Sequence, residues 1–192
     1  MKASLGANTI LLPTPTMVVG TYDSSGRPNV MTAAWGGICC SVPPCVAVSL
    51  RKATYTYGNI VDKGAFTVSI PSELFVREVD YFGIVSGRDI DKFEVTGLTA
   101  VHSEVVNAPY VGEFPLVLEC LVLHTFEIGL HTQFIGEILD VKIEDDMQDE
   151  RGNPDPQKVL PCTYAPGAGA YYGLGKKLGK GFIVGREAYM GR

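Results

Sequence analysis

The residues best suited to chemistry sit together in Arg51-Lys52-Ala53-Thr54-Tyr55-Thr56, directly after the apolar run Cys45 to Leu50. Arg51 offers a planar fork of donors, Lys52 a point charge, and Thr54 and Thr56 two hydroxyls. A helix opening at Thr54 would add its first backbone N–H groups. A phosphate monoester is close to a dianion near neutral pH and needs several such donors at once, so the cluster reads as a phosphate site. A plainer reading stands beside it, in which Arg51 and Lys52 face water and Thr54 merely caps the helix. Upstream, Asn29 to Trp35 is strand-like, with small Thr32, Ala33 and Ala34 followed by Gly36-Gly37. Small side chains let another strand at a barrel corner, or a flat ligand, approach the backbone closely.

Other chemistries find no support in the spacing. Gly167-Ala168-Gly169 and Gly173-Leu174-Gly175 do not continue as a dinucleotide fingerprint, and there is no P-loop. His102, His124 and His131 are scattered and lack cysteines at ligand spacing, so no metal is expected. Nothing marks a nucleophile elbow. Five cysteines are an odd count without CxxC spacing. No disulfide framework is expected, and a reducing cytoplasm is the expected location. Cys39, Cys40 and Cys45, beside the proposed site, are expected to be buried thiols, as are Cys120 and Cys162.

These groups need a frame to position them. A length of 192 residues with 46% hydrophobic content fits one domain, 1–192, with a sizeable core. The net charge of −5 and pI near 5.2 argue against a nucleic-acid surface. The tail is locally basic, with Lys176, Lys177, Lys180, Arg186 and Arg192 against Glu187. The N-terminal apolar run, broken by Pro13, is too short for a signal peptide's core or a membrane span.

Strands are expected at Met17 to Tyr22, Asn29 to Trp35, Cys45 to Leu50, Phe66 to Ile70, Leu98 to Val101 and Ala170 to Leu174. Thr54 should cap a helix ending at Gly64. Ser72 should cap another, ending at Gly83, with Leu74, Phe75, Val79 and Phe82 on its apolar face. Gly36-Gly37 through Pro43-Pro44 reads as a crossing between strands. Pro115 to Ile128 and Leu130 to Ile143 should pair as a hairpin about Gly129, with Gly136 a bulge or close-approach point. Apolar side chains on both faces of such strands need cover, one face filling a barrel and the other meeting a helix or a second subunit. The acidic run Glu144 to Glu150 and the following Arg151 to Pro154 read as an exposed loop. Many short strands with few short helices indicate an all-β or β-rich barrel.

Five segments, N-V-M-T-A-A-W, S-V-P-P, V-S-L-R-K-A-T-Y-T, S-G-R-D-I-D-K-F and H-T-Q-F-I-G-E-I, occur in that order. Together they resemble the flavin reductase-like family with an FMN-binding split barrel, over nearly the whole chain from about Leu12. The resemblance implies a six-stranded Greek-key split barrel, a homodimer, and one FMN near the subunit interface. It places Asn29, Met31, Thr32, Ala33 and Trp35 along the isoalloxazine. Ser49, Arg51, Lys52, Thr54 and Tyr55 match the stretch that holds the ribityl chain and phosphate. Ser86, Gly87, Lys92 and Phe93 match a loop closing over the cofactor, and His131 a catalytic histidine near the flavin and nicotinamide pocket. Many relatives carry an acid before that histidine, where this chain has Leu130. The implied activity is an oxidoreductase moving electrons from NADH or NADPH, or from a redox partner protein, through FMN. Two alternatives stand: an electron carrier docking through the basic tail or the acidic loop, and a ligand-binding barrel without redox function. No membrane or nucleic-acid partner is expected.

Overall fold

Alternation between short β-runs and turn residues is what the chain turns into structure. A computed structural model describes residues 1–190, so Arg192 of the basic tail lies outside the described residues. The chain begins with β1 (Thr14–Pro15), β2 (Met17–Tyr22), β3 (Pro28–Ala33), β4 (Gly36–Ser41) and β5 (Pro44–Arg51), followed by α1 (Tyr55–Lys63) and β6 (Ala65–Ile70). Next come α2 (Val76–Ile84), α3 (Lys92–Thr96), β7 (Ala100–His102), β8 (Pro109–Val111) and the long pair β9 (Leu116–Ile128) and β10 (His131–Ile143). The remainder holds α4 (Pro156–Val159), β11 (Thr163–Ala165), β12 (Ala170–Tyr172) and α5 (Val184–Tyr189).

Seven strands form one antiparallel sheet in the order β3-β2-β6-β9-β10-β5-β4. The two ends of that order are consecutive in the chain, separated only by Ala34 and Trp35. One passage therefore pairs with β2 before the break and with β5 after it, and the sheet closes on itself. At the junction the Ser49 amide donates to the Trp35 carbonyl at 2.8 Å. The ladders of this sheet run through seven strands, where the resemblance implies six. The architecture is an all-β split barrel with a few short helices.

Gly36 makes the closure possible, because a Cβ there would collide with the Ala47 carbonyl oxygen. The small-residue signal was thus a barrel corner at this point. Gly136 serves similarly. It sits at a register shift in the β9–β10 ladder, and a Cβ would lie 2.5 Å from the Phe66 ring. Phe66 and Phe134 fill the barrel interior with Met17, Val19, Val48, Leu50, Val68 and Leu118. Each such side chain, fully buried, contributes about 1.5–3 kcal/mol. A second apolar layer, Val18, Val30, Val79, Phe82, Phe93 and Phe114, joins the barrel wall to α2 and α3.

Several expectations change. Gly36–Ser41 is a strand, not a crossing, because its backbone finds β5 as a partner. Glu73–Phe75 is a tight 3-10 turn, and α2 runs on past Gly83 to Ile84. Leu74 lies in that turn and points outward, while Val79 and Phe82 are buried as expected. A short helix, α5, forms in the tail, which carried little periodicity. Cys39 and Cys40 are exposed, since β4 is the last strand of the sheet and pairs with β5 alone; Cys45, Cys120 and Cys162 are buried. No helix among the described residues is long and apolar enough to cross a membrane.

Candidate functional site

β3 and β5 touch at the Trp35–Ser49 junction and diverge beyond it. Two adjoining cavities of about 330 and 340 Å³ occupy the split and share Met31, Arg51, Thr54 and Gly83, forming one cleft. One wall is β3, contributing Asn29, Met31, Thr32 and Ala33, with Ala34 and Trp35 beyond them. The opposite wall is the end of β5 and the start of α1, with Ser49, Arg51, Thr54, Tyr55 and Thr56. The end of α2 and the following loop supply Gly83, Ile84, Val85, Ser86, Gly87 and Arg88, with Lys92 behind. His131, paired with Arg51 across the β10–β5 ladder, completes the lining.

The β3 wall presents its backbone. Lys92 Nζ donates to the Val30 carbonyl at 2.7 Å, which marks that carbonyl as one turned away from β2. In an antiparallel ladder, N–H and C=O groups face the partner strand only at alternate residues. Thr32, two residues past Val30, therefore turns both backbone groups toward the same free edge, where it lines the cleft. The β3 side chains are otherwise engaged: Met31 and Ala33 in the interior, Val30 in the outer layer, and the Thr32 hydroxyl donating to the Val79 carbonyl at 2.5 Å.

The opposite wall is electropositive. Among the described residues no carboxylate lines either cavity, while Arg51, Arg88 and Lys92 do. Arg51 is exposed and has no carboxylate partner among the described residues. Thr54 caps α1, its hydroxyl accepting from the Tyr57 amide at 3.3 Å and donating to the Arg51 carbonyl at 2.9 Å. The capping reading thus holds for Thr54, and the same cap turns the start of α1 toward the cleft. Lys92 is 3% exposed and also donates to the Phe82 carbonyl at 2.8 Å; burial pushes its ammonium down to about 8. Asn29 donates to Thr56 Oγ1 at 3.0 Å, leaving its own buried Oδ1 without a partner.

Two expected residues lie elsewhere. Lys52 lines neither cavity; it pairs with Glu127 of β9 at 2.5 Å, which raises its pKa. Phe93 is 7% exposed and packs in the outer layer, because Asp91 caps α3 through the Phe93 and Glu94 amides and turns the ring inward. Thr56, whose hydroxyl belonged to the expected phosphate cluster, lines the cleft, and residues not foreseen include Ile84, Val85 and Arg88. Arg88 stood within the S-G-R-D segment, and its place between Gly87 and Lys92, both expected at the site, was the available signal.

Comparison with known proteins decides the family. A sequence profile of the flavin reductase like domain matches residues 9–172. The chain belongs to the flavin reductase-like family. This flavin reductase-like protein is 56% identical to the solved flavoredoxin of Desulfovibrio vulgaris (Miyazaki F), covering 96% of this chain and 100% of that one, with a TM-score of 0.93. It is 28% identical to flavoredoxin from Methanosarcina acetivorans, covering 98% and 100%, with a TM-score of 0.90. It is also 29% identical to a ferric-chelate reductase (NAD(P)H) of Archaeoglobus fulgidus over 69% of this chain and 78% of that one. The flavin reductase-like protein is accordingly a flavin-dependent oxidoreductase. Its cleft fits a flavin: a free backbone edge for the flat polar ring, an orphaned buried acceptor at Asn29 for a hydroxyl, and a carboxylate-free cationic end for phosphate.

Proposed function

We propose that the protein binds FMN in this cleft, takes hydride from NADH or NADPH, and passes the electrons to an acceptor. One observation carries the reading: the cleft has a bare backbone edge at one end and Arg51 and Arg88, unopposed by any lining carboxylate, at the other. A bound flavin supplies the hydride acceptance and electron release that no amino-acid side chain offers. The chain's part is positioning and charge stabilisation. Thr32's backbone N–H can donate to the ring's polar edge, where negative charge grows on reduction. Arg51 and the start of α1 take the phosphate, and Asn29 takes a ribityl hydroxyl. His131, half-buried at the other side of the cleft, acts as the catalytic donor toward flavin and nicotinamide.

Anaerobic mixing with NADH or NADPH tests the activity. Rapid bleaching of the flavin band is expected; a flavoprotein that does not bleach is the electron carrier instead, and a chain that takes up no FMN removes both readings. Arg51→Ala should weaken FMN binding about tenfold or more, as loss of a charge-assisted contact does. Lys52→Ala should leave the affinity unchanged, because Lys52 faces Glu127 rather than the cleft. Titration of the apoprotein by flavin fluorescence reads both, and equal losses would count against the phosphate assignment.

We read the chain as one functional domain acting as a homodimer. The outer parts of β9 and β10 support the dimer, exposing Leu121, Leu123, Phe126, Ile128, Leu139 and Val141 together with Leu130 of the turn. Sedimentation velocity of the holoprotein should give twice the chain mass. Five free thiols agree with a reducing cytoplasm. The acidic loop beyond β10 is where a redox partner protein would dock.

A further inference from the structure

One group of buried polar contacts beside the cleft is not used by the readings above. Asp23, in the turn between β2 and β3, is 5% exposed yet charged. Its Oδ1 accepts from the Ser25 amide at 2.8 Å, the Ser25 hydroxyl at 2.6 Å and the Arg27 amide at 2.9 Å. Its Oδ2 accepts from Arg27 Nε at 3.3 Å and from the Tyr55 hydroxyl at 2.8 Å. Burial alone would raise this carboxyl, but the bonds from Ser25, Arg27 and Tyr55 outweigh it and hold the group well below the ordinary carboxylate range. Five donors on one turn carboxylate exceed what a hairpin needs. Two of them lead out of the turn toward the cleft.

The first runs through Arg27, whose Nη2 donates to the Gly87 carbonyl at 2.6 Å. Gly87 is itself pressed inward, so that a Cβ would collide with Asn29 Oδ1. The second runs through Tyr55, which is held at its hydroxyl by Asp23 and at its ring by Arg88. The Arg88 guanidinium carbon stands 5.4 Å from the Tyr55 ring centroid, and Nη1 donates to the Ala53 carbonyl at 2.9 Å. Both routes end on Gly87-Arg88, and both set where the Arg88 guanidinium lies beside the start of α1.

We propose that Arg88 is a second phosphate-binding residue and that Asp23, through Arg27 and Tyr55, is the positioning residue that makes the site select a phosphorylated flavin over an unphosphorylated one. The proposal rests on the FMN reading. A cation on a long rotatable side chain gains selectivity only when it is held in place beforehand. Arg88 is exposed, and its stacking on Tyr55 and bond to Ala53 supply that order. Riboflavin carries the same ring and ribityl chain without the phosphate, so it reports on everything in the cleft except this contact.

The test is titration of apoprotein with FMN and with riboflavin, for wild type, Asp23→Asn, Tyr55→Phe and Arg88→Ala. Arg88→Ala and Asp23→Asn are expected to lose about tenfold in FMN affinity while riboflavin affinity stays within about twofold. Tyr55→Phe, which removes one bond and keeps the ring, should show the same pattern at smaller size and remains readable if Asp23→Asn folds poorly. Equal losses for FMN and riboflavin, or none for FMN, would overturn the proposal by making the network a structural tie alone. A wild type that binds riboflavin and FMN equally, with Arg51→Ala also silent, would show instead that the phosphate reading itself has failed.

Discussion

Replacing Lys92 by methionine is expected to destabilise the apoprotein by about 2–4 kcal/mol, because two buried carbonyls lose their donor at roughly 1–3 kcal/mol each. The ammonium bridges Val30 of the cleft wall and Phe82 near the end of α2 at 2.7 and 2.8 Å. Methionine fills the space but donates nothing. The effect should also depend on pH in a definite direction. Burial pushes the Lys92 ammonium down to about 8 from its ordinary 10.5. Between those values the unfolded chain holds a proton that the folded chain has released, so this group's contribution rises with pH across that window and sits at its lowest level below it. The methionine variant lacks the group, so the wild-type advantage should be about 2 kcal/mol larger at pH 9.5 than at pH 7.5. Urea denaturation at the two pH values measures it. An advantage that is the same at both would remove the account of a buried ammonium.

Gly36→Ala should have a comparable or larger effect, for a different reason. The added Cβ meets the Ala47 carbonyl oxygen and stands 2.6 Å from Met17 Cε. A methionine terminus can swing away. The carbonyl belongs to β5 and cannot move without opening the β4–β5 ladder, where Gly37 pairs with Ala47. Overpacking against backbone costs about 3 kcal/mol or more, which corresponds to a melting temperature lower by roughly 10 °C in a chain of this size. Gly58→Ala is the matched control: a Cβ there meets nothing within 4 Å, and the position is interior to α1. It should stabilise by about 0.5–1 kcal/mol. Calorimetry of the two variants should therefore give shifts of opposite sign. A neutral Gly36→Ala would mean that the closure tolerates slack.

Much of the fold was legible because it is local. Runs of β-forming and apolar residues ending in Asp-Ser-Ser-Gly or at Gly129 mark strands and turns whatever surrounds them. The cleft residues were legible where a charge or hydroxyl stood next to a predicted helix start, as at Arg51, Thr54 and Tyr55. Lys52 has the same local signature, and what distinguishes it is Glu127 on a strand 75 residues away. Phe93 followed Lys92 in a polar-looking loop, and only the Asp91 cap decides that the ring turns inward. The roles of Asp23 and Arg27 were hidden for a related reason. A turn carboxylate looks the same in sequence whether it bonds its own turn or a tyrosine on another element. β4 was missed because glycines and cysteines carry weak strand preference, and its partner, not its composition, makes it a strand.

The free edge of β3 has a consequence for inheritance. From Val30 to Ala33 the strand commits its side chains to packing or to the Val79 carbonyl and presents its main chain to the cleft. Peptide groups are the same at every residue except proline. Substitutions along this wall are therefore judged by whether the barrel still closes, and, on the proposed reading, recognition of the ring would follow from that without separate selection. Lineages can drift widely in these letters while keeping the cofactor's seat, and a count of identical residues will understate how much of the site two distant relatives share.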